Sequence, residues 1–138
     1  MRLAVVGSRG VKDYGFVCSH ILKHFRLDEI EEIVSGRAPG ADTCGAVFAV
    51  NHDIPLKEYP ADWDNLTHSD AIIKIRSDGK SYDARAGFRR NKKIVDRCDW
   101  MIAFSLNGSS GTEDSIKLAL AARKHLIVIR VDKILNPV

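Results

Sequence analysis

Short apolar runs and segments of helical spacing alternate along most of this chain, and the alternation predicts its architecture. Residues 2–6 are apolar on both faces and stop at Gly7, the pattern of a strand at the centre of a parallel sheet. Residues 14–25 carry Val17, Ile21, Leu22 and Phe25 at helical spacing. A second strand is predicted over 32–35, a small-residue helix with Ala41, Ala46 and Ala49 over 41–50, and a third strand over 56–59. Helical patterning resumes over 88–95. A fourth strand is expected over 100–104, a helix over 115–123, and a fifth strand over 126–131. The tail, 132–138, is expected at the periphery.

The alternation lapses between the third strand and the helix that resumes near Phe88. Residues 60–86 are expected to form an irregular insertion or lid, since a loop this long in one domain is a binding loop or disordered. Within it, Asp78, Gly79, Lys80 and Ser81 predict an exposed turn, while 71–75 is too short an apolar run to assign to strand or helix.

Strands alternating with helices predict an α/β fold, a Rossmann-like three-layer domain with a mostly parallel sheet of about five strands and helices on both faces. All 138 residues form one such domain in this reading. With the first strand central, the second and third to one side and the fourth and fifth to the other, strand order reverses beside the first strand. Ligands bind at that reversal, beyond the carboxyl ends of the strands. Three glycine-bearing loops are brought to this edge: 7–10, 36–42 and 105–112.

Composition narrows the chemistry only a little. Hydrophobic residues at 45% and charged residues at 28% are ordinary for a globular protein, and a net charge of +3 permits a polyanionic partner without demanding one. Cys18, Cys44 and Cys98 are scattered and odd in number, without C-x-x-C spacing. Buried thiols in a reducing cytoplasm are expected, with no zinc site or disulfide framework. No apolar run approaches membrane-spanning length, and neither a metal nor a cofactor is expected.

The stretch Ser105-Leu106-Asn107-Gly108-Ser109-Ser110-Gly111-Thr112-Glu113-Asp114 holds the strongest chemical signal. It lies between a predicted buried strand and a predicted helix. A helix start offers unpaired N–H groups and the positive end of the peptide dipoles. Gly108 and Gly111 let a phosphate approach, and Ser109, Ser110 and Thr112 add hydroxyls. The same residues also suit an ordinary turn with Thr112 as helix N-cap. Arg9 is either an anion ligand or a solvated loop arginine. Asp42 is placed to accept from a ribose hydroxyl or to cap its helix. Arg89, Arg90, Lys92 and Lys93 either reach phosphates or form a solvated face, with Asn91 among them as a hydrogen-bonding candidate. Trp63 and Tyr59 suit base stacking or core packing. Glu113 and Asp114 are the catalytic candidates, as general base or as support for a developing sugar cation; they equally suit a first helical turn. The G-x-G-x-x-G fingerprint after the first strand and the Walker lysine motif are both missing.

Taken in order, Gly7-Ser8-Arg9, Ser35-Gly36-Arg37-Ala38-Pro39-Gly40-Ala41-Asp42, Pro60-Ala61-Asp62-Trp63, Arg90-Asn91 and Gly108-Ser109-Ser110-Gly111-Thr112 resemble the successive motifs of the SLOG superfamily. That group includes DprA and the LOG cytokinin-activating enzymes, and the chain is most similar to its small YspA-like branch. The resemblance covers nearly the whole chain. It implies a Rossmann-like fold and a nucleotide or phosphorylated nucleoside derivative as ligand, bound through Gly7, Ser8, Arg9, Gly36, Gly40, Asp42, Arg90, Asn91 and the residues from Gly108 to Thr112. It also implies a sensing or defence role of the kind carried by phage and prophage genomes, and assembly as a homodimer or higher homo-oligomer.

Departures from the family pattern bear on activity. The family turn P-G-G-x-G-T stands here as Asn107-Gly108-Ser109-Ser110-Gly111-Thr112, and the second carboxylate of the LOG acidic pair is replaced by Ser115. LOG-type hydrolysis would therefore need Glu113 at a shifted position. Two alternatives share the opening motifs: a nucleoside 5′-monophosphate N-glycosidase, whose opening loop is followed by a tyrosine like Tyr14, and a DprA-like single-stranded DNA-binding protein.

Overall fold

The computed structural model describes residues 1–136. The chain runs β1 (Arg2–Gly7), α1 (Tyr14–His24), β2 (Glu32–Ser35), α2 (Ala41–Asn51), β3 (Leu56–Glu58), β4 (Ile73–Ile75), β5 (Ser81–Asp83), α3 (Ala86–Arg97), β6 (Trp100–Leu106), α4 (Ser110–Ala121) and β7 (His125–Val131). Five strands form a parallel sheet in the order β3-β2-β1-β6-β7. The fold is thus α/β and Rossmann-like, with strand order reversing between β1 and β6, the arrangement that follows when the first strand is central.

The two-residue period of a strand sorts the core into two layers. Leu3 and Val5 of β1, Ile33 of β2, and Ile102 and Phe104 of β6 pack beneath α1 and α2 with Val17, Ile21 and Phe48. Their neighbours Ala4, Val6, Val34, Met101 and Ala103 face the other way, against Ile94 and Val95 of α3 and Ile116 and Ala119 of α4. Burial on both faces explains why these strands read as unbroken apolar runs. The small-residue face of α2 has a direct use, because a Cβ at Gly45 would stand 2.6 Å from Cβ of Val5.

Three local differences from the sequence expectation matter for the site. The final helix begins at Ser110 rather than near 115, with Ser109 rather than Thr112 at the N-cap. Asn107 and Gly108 take positive φ values of 50° and 67°, reversing the chain directly after β6. The tail is tied to the first loop: Leu135 donates its N–H to Gly10 O at 2.9 Å and accepts from Lys12 N–H at 2.7 Å.

The insertion is not irregular throughout. Its apolar run pairs as β4 with β5 in an antiparallel hairpin turned at Gly79, where φ is 85°. The hairpin is held to α3 by Arg89, whose guanidinium meets Asp83, Asp70 at 2.8 Å and Asp62 at 4.0 Å. Asp83 is fully buried and accepts the N–H groups of Ile72 and Arg85 at 3.2 and 2.9 Å. Desolvation pushes the Asp83 carboxyl up, but Arg89 and these N–H groups outweigh it and hold the group below its ordinary value.

Two measurements check this picture. Phe48 is fully buried between α2 and the sheet, so Phe48→Ala is expected to cost about 3–5 kcal/mol in urea unfolding; a loss under about 1 kcal/mol would contradict the packing described. In limited proteolysis, Arg89→Ala is expected to open cleavage sites within 62–80 while the remaining core resists. Unchanged cleavage there would show that Arg89 does not hold the insertion.

Candidate functional site

A crevice of about 1200 Å³ opens at the carboxyl ends of β1 and β6. Its inner wall is the loop after β1 and the start of α4, and its outer wall is the β4–β5 hairpin with Trp63 and Phe88. It therefore lies at the reversal of strand order, where α/β sheets hold ligands.

Ser8 ties the inner wall together. Its N–H donates to Phe104 O at 2.9 Å, and its hydroxyl accepts from Leu106 N–H at 2.9 Å. The hydroxyl also bonds to Ser109 Oγ and lies 3.2 Å from Thr112 Oγ1. Two of the three hydroxyls assigned to a ligand are thus engaged within the protein. Ser110 is exposed and lines the crevice. The first-turn N–H groups of Ser110, Gly111 and Thr112 precede the intrahelical ladder, and the N-cap side chain makes no bond to them. A Cβ added at Gly111 would meet nothing within 4 Å, so this backbone faces open space.

Asp42 joins the second loop to the first. At 4% exposure it sits at the start of α2, and Oδ1 accepts Gly7 N–H at 3.0 Å. The N–H groups of Ala38 and Gly36 and the Arg90 charge also act on it. Gly36 and Gly40 do not line the crevice; they let the loops close around this carboxylate. A Cβ at Gly36 would stand 2.5 Å from Arg90 Nη1 and 2.6 Å from Asp42 Oδ2. Gly40 has φ of 92°, and a Cβ there would lie 2.4 Å from Ser8 O.

Consecutive residues of α3 reach different walls. Arg89 grips the insertion, as described. Arg90 donates to Gly36 O and, through Nε, to Asn91 Oδ1 at 3.0 Å. Asn91 is buried and donates to Gly111 O at 3.2 Å and Asp114 Oδ2 at 3.1 Å, so its amide fixes the start of α4 while lining the crevice. Lys92 instead pairs with Asp96 on the surface.

The catalytic candidates lie elsewhere. Neither Glu113 nor Asp114 lines the crevice. Glu113 is bonded to Arg130 and accepts from Ser105 at 3.2 Å, and the Arg130 bond holds its carboxyl below its ordinary value. Asp114 is held by Asn91 and borders a separate shallow depression with Lys93 and Leu118. Gly108 supports the turn outside the crevice. Of the two aromatic candidates, Trp63 lines the crevice, whereas Tyr59 packs against the α3–α4 side of the core.

The charge of the crevice is lopsided. Among the described residues, Arg9, Lys74, Arg76 and Arg90 line it against one carboxylate, Asp42, which already serves Gly7 and Arg90. Arg9 is exposed and has no ion-pair partner among the described residues. Lys74 and Arg76 lie in the insertion, where neither periodicity nor a motif marks them in the sequence; the hairpin brings them to the outer wall.

Desolvation raises the Asp42 carboxyl from 3.8 to about 6, against the opposing pull of Arg90 and the loop N–H groups. The native state then binds more protons than the unfolded chain between those values. The group's contribution to stability is full below about pH 3.8 and is lost as pH rises through about 6. Relative to Asp42→Asn, the wild-type protein is expected to lose on the order of 2–3 kcal/mol between pH 4 and pH 7 in urea titrations. A difference that stays flat with pH would place the Asp42 carboxyl in a wetter, less perturbed setting.

Neither a protein-family model nor a curated protein matches this chain.

Proposed function

We propose that the protein binds a phosphorylated nucleoside or related nucleotide derivative in the crevice between the β1 loop and the start of α4, and holds it without cleaving it. The observation that carries this reading is the pairing of an open helix start with unneutralised cations. The N–H groups of Ser110, Gly111 and Thr112 suit phosphate oxygens, and Arg9 supplies a fixed fork of donors beside them. Asn91 and Asp42 contribute by positioning: one fixes the backbone of Gly111, the other that of Gly7. The reading agrees with the SLOG resemblance of the sequence, and the free thiols Cys18, Cys44 and Cys98 suit a reducing cytoplasm.

Binding without hydrolysis is favoured because, among the described residues, the only carboxylate lining the crevice is the buried Asp42, committed to the loop backbone, while Glu113 is paired with Arg130. Among the described residues no helix is long and apolar enough to cross a membrane.

A thermal-shift panel of nucleoside mono-, di- and triphosphates, followed by calorimetry, tests the reading. Arg9→Ala is expected to weaken the best ligand by about fivefold or more, the worth of one charge-assisted bond. Unchanged affinity in the folded variant would remove Arg9 from the site. Chromatography of the same incubations is expected to show intact ligand, and release of free base would overturn the binding-only assignment.

A further inference from the structure

We propose that the crevice contains a second subsite at its outer wall, formed by Lys74, Arg76, Tyr82, Trp63 and Phe88, that takes the second nucleoside of a ligand made of two nucleosides joined through phosphate. The proposal rests on the phosphate-binding reading of the inner wall and names the class of ligand.

Size is the first observation. Pockets for single small ligands run roughly 300–1000 Å³, and the crevice, at about 1200 Å³, exceeds that range. That volume has room for more than one mononucleotide.

The second observation is the chemistry of that wall. Arg76 lies over the Tyr82 ring at 5.1 Å, and Trp63 meets Tyr82 edge to face at 6.3 Å. Half-buried aromatic rings beside guanidinium and ammonium groups suit a base and its phosphate linkage, because stacking accepts any base and the cations track the backbone. Arg76 has only a long contact, 3.7 Å, to Asp64, whose side chain is 87% exposed. Lys74 is exposed and makes no ion pair among the described residues.

Third, the architecture of the hairpin does not require these groups. The hairpin is attached to α3 through Asp83, Asp70 and Arg89 and closed on itself by backbone bonds from Asp83 N–H to Trp63 O and from Ala84 N–H to Ile72 O, both 2.8 Å. Lys74 and Arg76 are left over from that attachment and both line the crevice. A Cβ at Gly87 would stand 2.8 Å from the Trp63 ring, so α3 admits the indole edge closely and sets its position in the outer wall.

Calorimetry tests the proposal with the four nucleoside 5′-monophosphates, the matching 5′–5′ pyrophosphate-linked dinucleotides, 5′-phosphorylated 3′–5′ dinucleotides and a longer single strand. The wild-type protein is expected to bind one dinucleotide class at least about tenfold more tightly than its mononucleotide, the scale of one stacking contact. The pyrophosphate and 3′–5′ arms identify the linkage. A strand longer than two nucleotides is expected to gain little further affinity. Arg76→Ala and Tyr82→Leu are each expected to remove about tenfold from dinucleotide affinity and less than about twofold from mononucleotide affinity, which also serves as the folding control. Arg9→Ala should weaken both. Equal binding of mono- and dinucleotides, equal losses for both in the hairpin variants, or affinity that keeps rising with strand length would overturn the second subsite and leave the inner site standing. No binding by any mononucleotide or dinucleotide would overturn the phosphate reading and this proposal with it.

Discussion

The geometry of the crevice depends on one buried carboxylate. Asp42 lies at the start of α2, yet its most definite partner is the N–H of Gly7 at the end of β1. Carboxylates are seldom buried this deeply, and here burial is tolerated because loop N–H groups and Arg90 surround the charge. The residue draws two strand-end loops together. The close approaches at Gly36 and Gly40 follow from the same convergence, since a side chain at either position would collide with Arg90, Asp42 or Ser8. The raised carboxyl shows that compensation is incomplete: some stability at neutral pH is given up to hold the loops in this arrangement.

The β1–β6 junction is a second fixed point, and it rests on Ser8. β1 ends here at Gly7 while β6 runs on to Leu106, so the last backbone groups of β6 on this side need partners beyond the regular ladder. Ser8 supplies both a donor, to Phe104 O, and an acceptor, to Leu106 N–H, and its hydroxyl continues into Ser109 and Thr112. The start of α4 is therefore registered against β1 through side-chain oxygens. Its backbone N–H groups are left out of that network, which is why an open helix start survives at the centre of the fold.

Much of this was legible in the sequence, for a physical reason. Strands buried on both faces must be apolar throughout, so the parallel sheet and the central place of β1 could be read from runs such as 2–6 and 100–104. The glycine loops mark where those strands stop. Other parts were hidden because their determinants are long-range. The hairpin at 73–83 has strands of three residues each, and it is fixed by Arg89 through Asp83 and Asp70, 6 and 19 residues before it, on either side of the hairpin. No local pattern records that clamp. The start of α4 was missed because Ser-Ser-Gly-Thr reads as a turn; its helical state is set by β1 and Asn91 rather than by propensity. Glu113 suits either chemistry or a first helical turn when read beside its glycine turn, and its partner Arg130, on β7, is 17 residues away and leaves no local mark.

Arg89, Arg90 and Asn91 connect these regions. Successive helical residues point about 100° apart, and here each direction meets a different wall. Arg89 holds the insertion, Arg90 reaches the second loop and the Asp42 charge, and Asn91 secures the first turn of α4. A rotation or shift of α3 would therefore disturb the outer wall and the inner wall together. Burial of Ile94 and Val95 one turn later resists such a shift, because both side chains are locked against the sheet. The hairpin is thereby held in a fixed relation to the helix start that faces it, although the two are not neighbours in sequence and share no strand. The spacing of the two walls of the crevice is therefore set by one well-packed helix, α3, whose consecutive residues reach both.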